Sequence, residues 1–406
     1  MTSLTQATPK TDSVLSELRD ALRGRLDCLV ICLSQSWGGL EQVAAQDALE
    51  VATQGLRIRL LCLEGSPIHE HFSNEKRVEL IPIQYRPRNF LDLRLRSEIN
   101  RLIRDGVTLI HMHQPSLLGS VVPWLWPYRG VPLLVSRHVM SNHVKKSFFH
   151  HAMYRRVDAL MAMSQTLRRN ILETHAVRER KVKVVHLGLD FERFDPDLVN
   201  ADAQRKAWGA DSDTIVVGLV GRIDPAKGQG TFIKAAAGLM KNLRVSEKIR
   251  FVIVGEETLG STSDYLSELR AMVAQFRLED QVIFAGFQEN IPEIMRAFDI
   301  FVMPSRQEAF GLVAIEAMAM ECPIVISRGG SAEEIVGNEE FGLTVRPEDA
   351  FDLQKKLRWL IDNPLERIKM GQRARSHVMV HYDRKTRVRK TLEIYDWALR
   401  RRSGFH

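Results

Sequence analysis

The chain has 406 residues, 45% of them apolar, and a formal net charge of +7. Such a length suits two domains of ordinary size, and with no run of about 18 apolar residues no membrane-spanning helix is expected. The positive balance favours phosphate-rich partners, among them nucleotides, nucleic acid and anionic membrane surfaces, and by itself selects none of these.

Residues 1–24 are polar, lack the apolar core of a secretion signal, and are expected to form an extension that leads into a short helix. Short apolar, β-branched runs then alternate with helical stretches. A first series of strands is predicted at 26–33, 56–63, 78–83, 108–112, 132–136, 159–163 and 182–186. A second is predicted at 214–220, 250–254, 282–285, 300–303, 324–327 and 343–345. Continuous apolar strands with helices between them imply parallel sheets covered on both faces, and two series imply two Rossmann-like α/β domains. The expected division is a first domain at 25–195, a polar linker at 196–213, a second domain at 214–383, and a C-terminal helix with a basic tail at 384–406 that packs back on the first domain. Cys28, Cys32 and Cys62 fall in strand runs. Together with Cys322 they read as reduced core residues of a cytosolic protein, not as zinc ligands or disulfides.

Open α/β sheets bind ligands at the carboxyl ends of their strands, so the loops there matter most. Glu308 and Glu316 are eight positions apart, and Phe310-Gly311-Leu312 between them marks a loop turning into a helix. Free amides at a helix start suit a phosphate. Carboxylates would repel one, so they are expected to accept hydrogen bonds from hydroxyls instead. A nucleotide-diphosphate sugar, with a phosphate between two hydroxyl-rich rings, has the matching shape. Arg222 and Lys227, on the loop after the first strand of the second domain, could clamp its diphosphate from two sides. Gly38 and Gly39, after the very first strand, either let a ligand approach the backbone or make an ordinary strand-to-helix turn. Neither a P-loop nor a dinucleotide fingerprint is present.

These loops resemble those of glycosyltransferase family 4, the retaining transferases of GT-B fold. The matching pieces begin with Gly38-Gly39-Leu40-Glu41, Leu109-Ile110-His111-Met112-His113, Ser136-Arg137-His138, the run 158–164 and Val184-Val185-His186-Leu187-Gly188. They continue with Gly221-Arg222, Lys227-Gly228, Val254-Gly255, Phe284-Ala285-Gly286, Arg296-Ala297-Phe298-Asp299, the pair Glu308 and Glu316, and Gly329-Gly330-Ser331-Ala332-Glu333. The resemblance covers nearly all of the chain after residue 25. It implies a GT-B architecture, with the two parallel sheets facing across a cleft, the acceptor on the first domain and the nucleotide-sugar on the second. By the same resemblance Glu308 holds hydroxyls of the donor sugar and Glu316 the ribose. Amides around Phe310, Gly311 and Leu312, with Arg222 and Lys227, hold the diphosphate and stabilise it as it leaves. His138 faces the donor sugar and assists transfer, Gly38 and Gly39 lie on the donor, and backbone around Gly286 and Phe287 holds the base. No metal or other cofactor is expected, because protein cations can supply the charge. Asp211-Ser212-Asp213 has the spacing of a metal motif but precedes a strand.

Two departures stand out: Ala309 where glycine is usual in the motif, and Glu321 where a glycine often caps the following helix. His111 and His113 alternate on a strand, share one face and are read as structural. His150-His151 lacks ligand spacing for a metal.

The first domain is strongly basic. Arg86, Arg88, Arg94, Arg96, Arg101 and Arg104 interleave with Phe90, Leu91, Leu93 and Leu95. Lys145, Lys146, His150, His151, Arg155 and Arg156 interleave with Phe148, Phe149 and Tyr154. Such mixing suits an anionic membrane surface and equally an amphipathic helix with a solvated charged face. The resulting expectation is a cytoplasmic, metal-independent hexosyltransferase, at the inner face of the membrane if these clusters touch lipid. It would use a UDP- or GDP-sugar and a glycan or lipid-linked acceptor, in bacterial lipopolysaccharide or exopolysaccharide biosynthesis. A nucleotide-sugar 2-epimerase of the same fold and a non-catalytic nucleotide-sugar binder are the alternatives. Nucleic acid is not an expected partner, since no recognition helix or RNA-binding motif occurs.

Overall fold

The computed structural model describes residues 8–87, 92–241, 248–257, 264–306, 308 and 310–402. They fall into two compact units. Unit 1 comprises Met1–Gly188 and Arg384–His406, and unit 2 comprises Leu189–Asp383.

Unit 1 is built on β1 (Asp27–Cys32), β2 (Arg57–Leu63), β3 (Val78–Ile83), β4 (Leu109–Met112), β5 (Leu133–Arg137), β6 (Ala159–Ala162) and β7 (Val182–Val184). They form one parallel sheet in the order β3-β2-β1-β4-β5-β6-β7. The helix Gly39–Thr53 buries Ala44, Ala48 and Val51 against Cys28, Val30 and Ile58 of the sheet. Small residues on that helix face let it approach the β-branched sheet surface closely. All four cysteines are buried and free. Burial pushes the thiols of Cys32 and Cys62 up, to about 12 and about 11, which keeps them unreactive.

Unit 2 is built on β8 (Thr214–Val220), β9 (Lys248–Val254), β10 (Val282–Gly286), β11 (Ile300–Met303), β12 (Ile324–Ser327) and β13 (Leu343–Val345). Its parallel order is β10-β9-β8-β11-β12-β13. Val217, Leu219, Phe251, Ile253, Phe232 and Ile233 form the centre of its core.

The unit boundaries differ from those read in the sequence. Unit 2 starts at Leu189, so residues 196–213 are part of it and not a linker. Their polarity is consumed internally: the Arg205 guanidinium donates to Asp299 at 2.9 Å and to the Thr214 carbonyl at 2.6 Å. Trp208 is buried and stacked on Phe298. Residues 8–22, read as part of an extension, form the helix Thr8–Leu22, whose Leu15 and Leu22 join the core of unit 1. It packs on the last helix, Arg384–Arg402, which belongs to unit 1 and buries Leu392, Tyr395 and Ala398 there.

Each sheet reverses its order at its first strand. β1 lies between β2 and β4, and β8 lies between β9 and β11. Segments leaving the two strands at such a switch point diverge to opposite faces and open a crevice at the carboxyl edge. The loops after β1 and β4, and those after β8 and β11, are therefore the places each fold reserves for a ligand.

Candidate functional site

In unit 2 the switch point brings together residues far apart in sequence. The loop after β8 carries Arg222, Asp224 and Lys227 into the helix Gln229–Met240. Asp224 caps a short 3-10 turn, Pro225–Lys227, by accepting from the Ala226 amide at 2.9 Å. That cap orients Lys227, whose Nζ donates to Glu308 Oε2 at 2.8 Å on the loop after β11. Arg222 is exposed and pairs with Asp224 at 3.1 Å. The loops are also clasped through the backbone, the Arg306 amide donating to the Ala226 carbonyl at 2.9 Å. Gly228 has a left-handed conformation, φ 79°, and a Cβ there would overlap the carbonyl oxygen of Pro304. Only glycine permits that approach.

The helix Leu312–Ala319 begins directly after Gly311, so the free amides of its first turn sit at the carboxyl edge beside Glu308. The loop before it is held from behind by Gly329-Gly330-Ser331. Ser331 donates through its amide to the Glu308 carbonyl at 3.2 Å and through its hydroxyl to the Phe310 carbonyl. Gly330, at φ 57°, lies so close that a Cβ would overlap the Glu308 backbone. Phe310 is buried and meets Tyr382 edge-on, which anchors the loop without adding a polar group.

Glu316 lies one turn into the helix, half-buried, and its carboxylate accepts no hydrogen bond from the described residues. Burial raises its carboxyl to about 7, and Arg193 opposes this. A carboxylate left without a donor in this position is suited to accept one from a ligand hydroxyl. Gly286 closes β10, and the neighbouring Phe287 is exposed, its amide donating to Glu256 at 3.2 Å. Ala309 lies outside the described residues.

Unit 1 presents a different edge. Gly38 and Gly39 open the helix Gly39–Thr53, and the Gly38 amide donates to the Glu41 carboxylate at 2.9 Å. Gly39 has open space around it, whereas a Cβ on Gly38 would press on the Glu41 carboxylate at 3.3 Å. His138 follows β5 and is only 7% exposed. Its Nε2 faces His113 Nδ1 at 3.2 Å, the two rings stack, and its Nδ1 has no partner among the described residues. His111 is held between the Tyr395 hydroxyl at 2.7 Å and the Ser136 hydroxyl at 2.8 Å. Behind the histidines, Arg387 forks onto Asp47 with two bonds of 2.7 Å, and Asp47 lies 3.9 Å from His113. Burial pulls His111 down to about 4 and His138 to about 3, and lowers His113 strongly. At neutral pH these rings are uncharged.

Of the residues expected from the sequence, the structure brings Lys227 against Glu308, with Gly311 at the start of the adjoining helix; Arg222 pairs with Asp224 on the loop of Lys227, and Glu316 lies one turn into that helix. Sequence reading missed the Gly330 clasp and the Asp224 cap, although Asp-Pro before a lysine is a recognisable cap signal. The link from His138 through His113 to Asp47 and Arg387 was beyond it, because three separate elements converge there. The helix Leu93–Arg104 buries Leu95, so this residue does not interleave with the arginines on the surface, whereas Leu93 is 64% exposed. Tyr154 is likewise buried, while Phe148 and Phe149 are exposed. Arg88, Phe90 and Leu91 lie outside the described residues. Among the described residues no three His, Cys, Asp or Glu side chains cluster as a metal site.

Comparisons with known proteins bear on both units. The family model "Glycosyltransferase Family 4" matches residues 37–193, and "Glycosyl transferases group 1" matches residues 200–377. The chain is 30% identical over 328 residues to a D-inositol 3-phosphate glycosyltransferase of Salinispora arenicola, covering 75% of this chain and 72% of the relative. It is 23% identical over 370 residues to the Escherichia coli UDP-Gal:alpha-D-GlcNAc-diphosphoundecaprenol alpha-1,3-galactosyltransferase, covering 88% of this chain and 93% of that one. Among solved structures, Anabaena HepE in complex with UDP and glucose superposes with a TM-score of 0.78 at 22% identity, covering 92% of this chain and all of the other. That likeness establishes the shared fold.

Proposed function

The chain belongs to glycosyltransferase family 4, whose members transfer sugars on a GT-B fold, and from that premise we propose that it moves a hexose from a UDP- or GDP-sugar to a glycan or lipid-linked acceptor with retention of configuration. The observation that carries this reading is the Lys227–Glu308 pair at the switch point of unit 2, beside the first-turn amides after Gly311. Without a ligand the two charges satisfy each other. With a nucleotide-sugar bound, Lys227 turns to the diphosphate and Glu308 accepts from sugar hydroxyls. Arg222 adds a second cation, and Glu316 accepts from the ribose.

In the reaction the bond from the anomeric carbon to the diphosphate oxygen breaks, and the acceptor oxygen bonds to that carbon on the same face. The leaving phosphate accepts the proton of the acceptor hydroxyl. Negative charge grows on the diphosphate, where Arg222, Lys227 and the helix amides meet it, so these residues do the work that a metal does elsewhere. His138 acts as a neutral hydrogen-bonding ring, not as an acid, since burial keeps it unprotonated.

The acceptor in the name of the E. coli relative, GlcNAc-diphosphoundecaprenol, supports a lipid-linked acceptor and a place in lipopolysaccharide or exopolysaccharide assembly. Exposed Phe148 and Phe149 beside Lys145, Lys146 and Arg155 support contact with an anionic membrane face from the cytoplasm. The test is a transfer assay over UDP- and GDP-sugars with lipid-linked and free glycan acceptors, the product anomer being read by NMR. One donor should give an acceptor-dependent product of retained configuration, lost in Glu308→Gln. Epimerised nucleotide-sugar formed without acceptor, or full activity in Glu308→Gln, would contradict the reading.

A further inference from the structure

A cavity of about 970 Å³ is lined by residues of unit 1, and neither Gly38 nor His138 is among them. Its wall comes from segments that feed the amino ends of the strands. Trp126 precedes β5, and Lys181 immediately precedes β7. Arg401 follows the same helix as Arg402, which grips Asp158 just ahead of β6. Six cations line the cavity: Lys146, Arg155, Arg178, Arg180, Lys181 and Arg401. Among the described residues no carboxylate lines it. The acids nearby are already engaged, Asp158 with Arg156 and Arg402, and Glu179 with Arg168. An ordinary solvated face intersperses both signs, and this one does not.

The cations are also held in place. Lys181 Nζ donates to the carbonyls of Tyr154, Arg155 and Val157, at the end of the helix Phe148–Arg156, where a cation is favoured by the helix dipole. Burial, then Arg401, Arg402 and Arg178, draw its ammonium down to about 8 against the opposing pull of Asp158. Positive potential is therefore in excess here, and a bound anion would relieve it. His175 supplies a second, independent sign. It lines the cavity, is 1% exposed, and bonds the Thr174 hydroxyl through Nδ1, while its buried Nε2 has no partner among the described residues. Phe148, 91% exposed, forms an apolar rim.

We propose that this cavity is a phosphate-binding site, separate from the donor crevice, that takes the phosphate or diphosphate group of a lipid headgroup. A volume of this size accommodates a headgroup, the cations hold its charge, and the aromatic rim meets the acyl boundary. The proposal rests on unit 1 alone and stands or falls independently of the donor reading.

The test compares the full chain with Arg178→Glu/Arg180→Glu, two exposed residues outside the donor crevice. Binding is measured to phosphatidylcholine vesicles with and without phosphatidylglycerol, and to inorganic pyrophosphate in solution. Vesicle binding that needs the anionic lipid and falls at least tenfold in the double variant, with UDP affinity unchanged, supports the proposal. Competition of pyrophosphate with the vesicles, lost in the same variant, supports it further. Equal vesicle binding by both proteins overturns it, as does pyrophosphate binding at these residues without any vesicle retention, which would make the site one for a free anion. A lowered melting temperature would expose a folding defect, and Arg180→Gln, which removes charge without reversing it, then decides between the outcomes by the same vesicle ratio.

Discussion

The carboxyl edges of the two units are built on the same topological device and equipped in opposite ways. In unit 2 the loops after β8 and β11 present an ion pair and a fresh helix start, and the helix carries a carboxylate with no donor among the described residues. In unit 1 the loops after β4 and β5 turn histidines inward, where they pair with each other and with a buried Asp47–Arg387 fork. Shared topology fixes where a ligand can lie, while the polarity of what points there decides whether the edge grips or supports. Unit 2 is equipped to hold charge, and unit 1 offers a rigid neutral wall.

The contrast can be broken most severely at Arg387. Replacing it by Ala leaves Asp47 as an uncompensated buried charge, at a cost of about 3–5 kcal/mol. Hydrogen exchange should show the loss across unit 1, with protection in unit 2 retained. A uniform loss over both units would mean that the fork is not specific to unit 1.

Lys227→Ala should act on function instead. Removing one preorganised donor to a developing charge costs about 10²–10³ in rate, and kcat should fall by that much while the melting temperature changes little. Loss of stability without loss of turnover would place Lys227 in the scaffold.

Acid separates the units by sign. For His111, His113 and His138 the folded pKa lies below the unfolded value, so the unfolded chain binds more protons below about pH 6.5 and stability falls as pH drops. At pH 5 His111 and His138 each cost about 2 kcal/mol, less than additively because they are neighbours, and His113 adds in the same direction. Unit 2 carries one such histidine, His377, drawn to about 4. Its Glu316 works the other way: the raised carboxyl costs stability as pH climbs from about 4.5 towards 7, and acid restores it. Exchange protection should therefore fail first in unit 1 between pH 6.5 and 4. Earlier failure in unit 2 would contradict the assignment of the buried neutral rings.

The smallest effect belongs to Glu321, which takes the left-handed conformation at φ 59° after the helix Leu312–Ala319. Glu321→Gly should stabilise unit 2 by up to about 1 kcal/mol in chemical denaturation, and destabilisation would show that its side chain has a further task.

Much of this was legible in the chain because parallel strands buried on both faces read as unbroken apolar runs, and all thirteen such runs correspond to strands. Lys227 and Glu308 were legible as loop residues at strand ends. Their contact was not, because it spans 81 positions and depends on β8 and β11 being neighbours. Residues 196–213 misled through polarity: Arg205 looks like a solvated linker group until Asp299 of the second domain is seen to satisfy it. The burial of His138 was not legible, since it depends on the ring of His113 stacking on it from another strand.

The central claim is that unit 2 holds a nucleotide-diphosphate sugar through Lys227. Calorimetric titration of UDP- and GDP-sugars into the wild type and Lys227→Ala tests it directly. One nucleotide-sugar should bind the wild type, raise its stability by about 2.7 kcal/mol at 100 times its dissociation constant, and bind the variant at least tenfold more weakly. Equal affinity for both proteins would contradict the account.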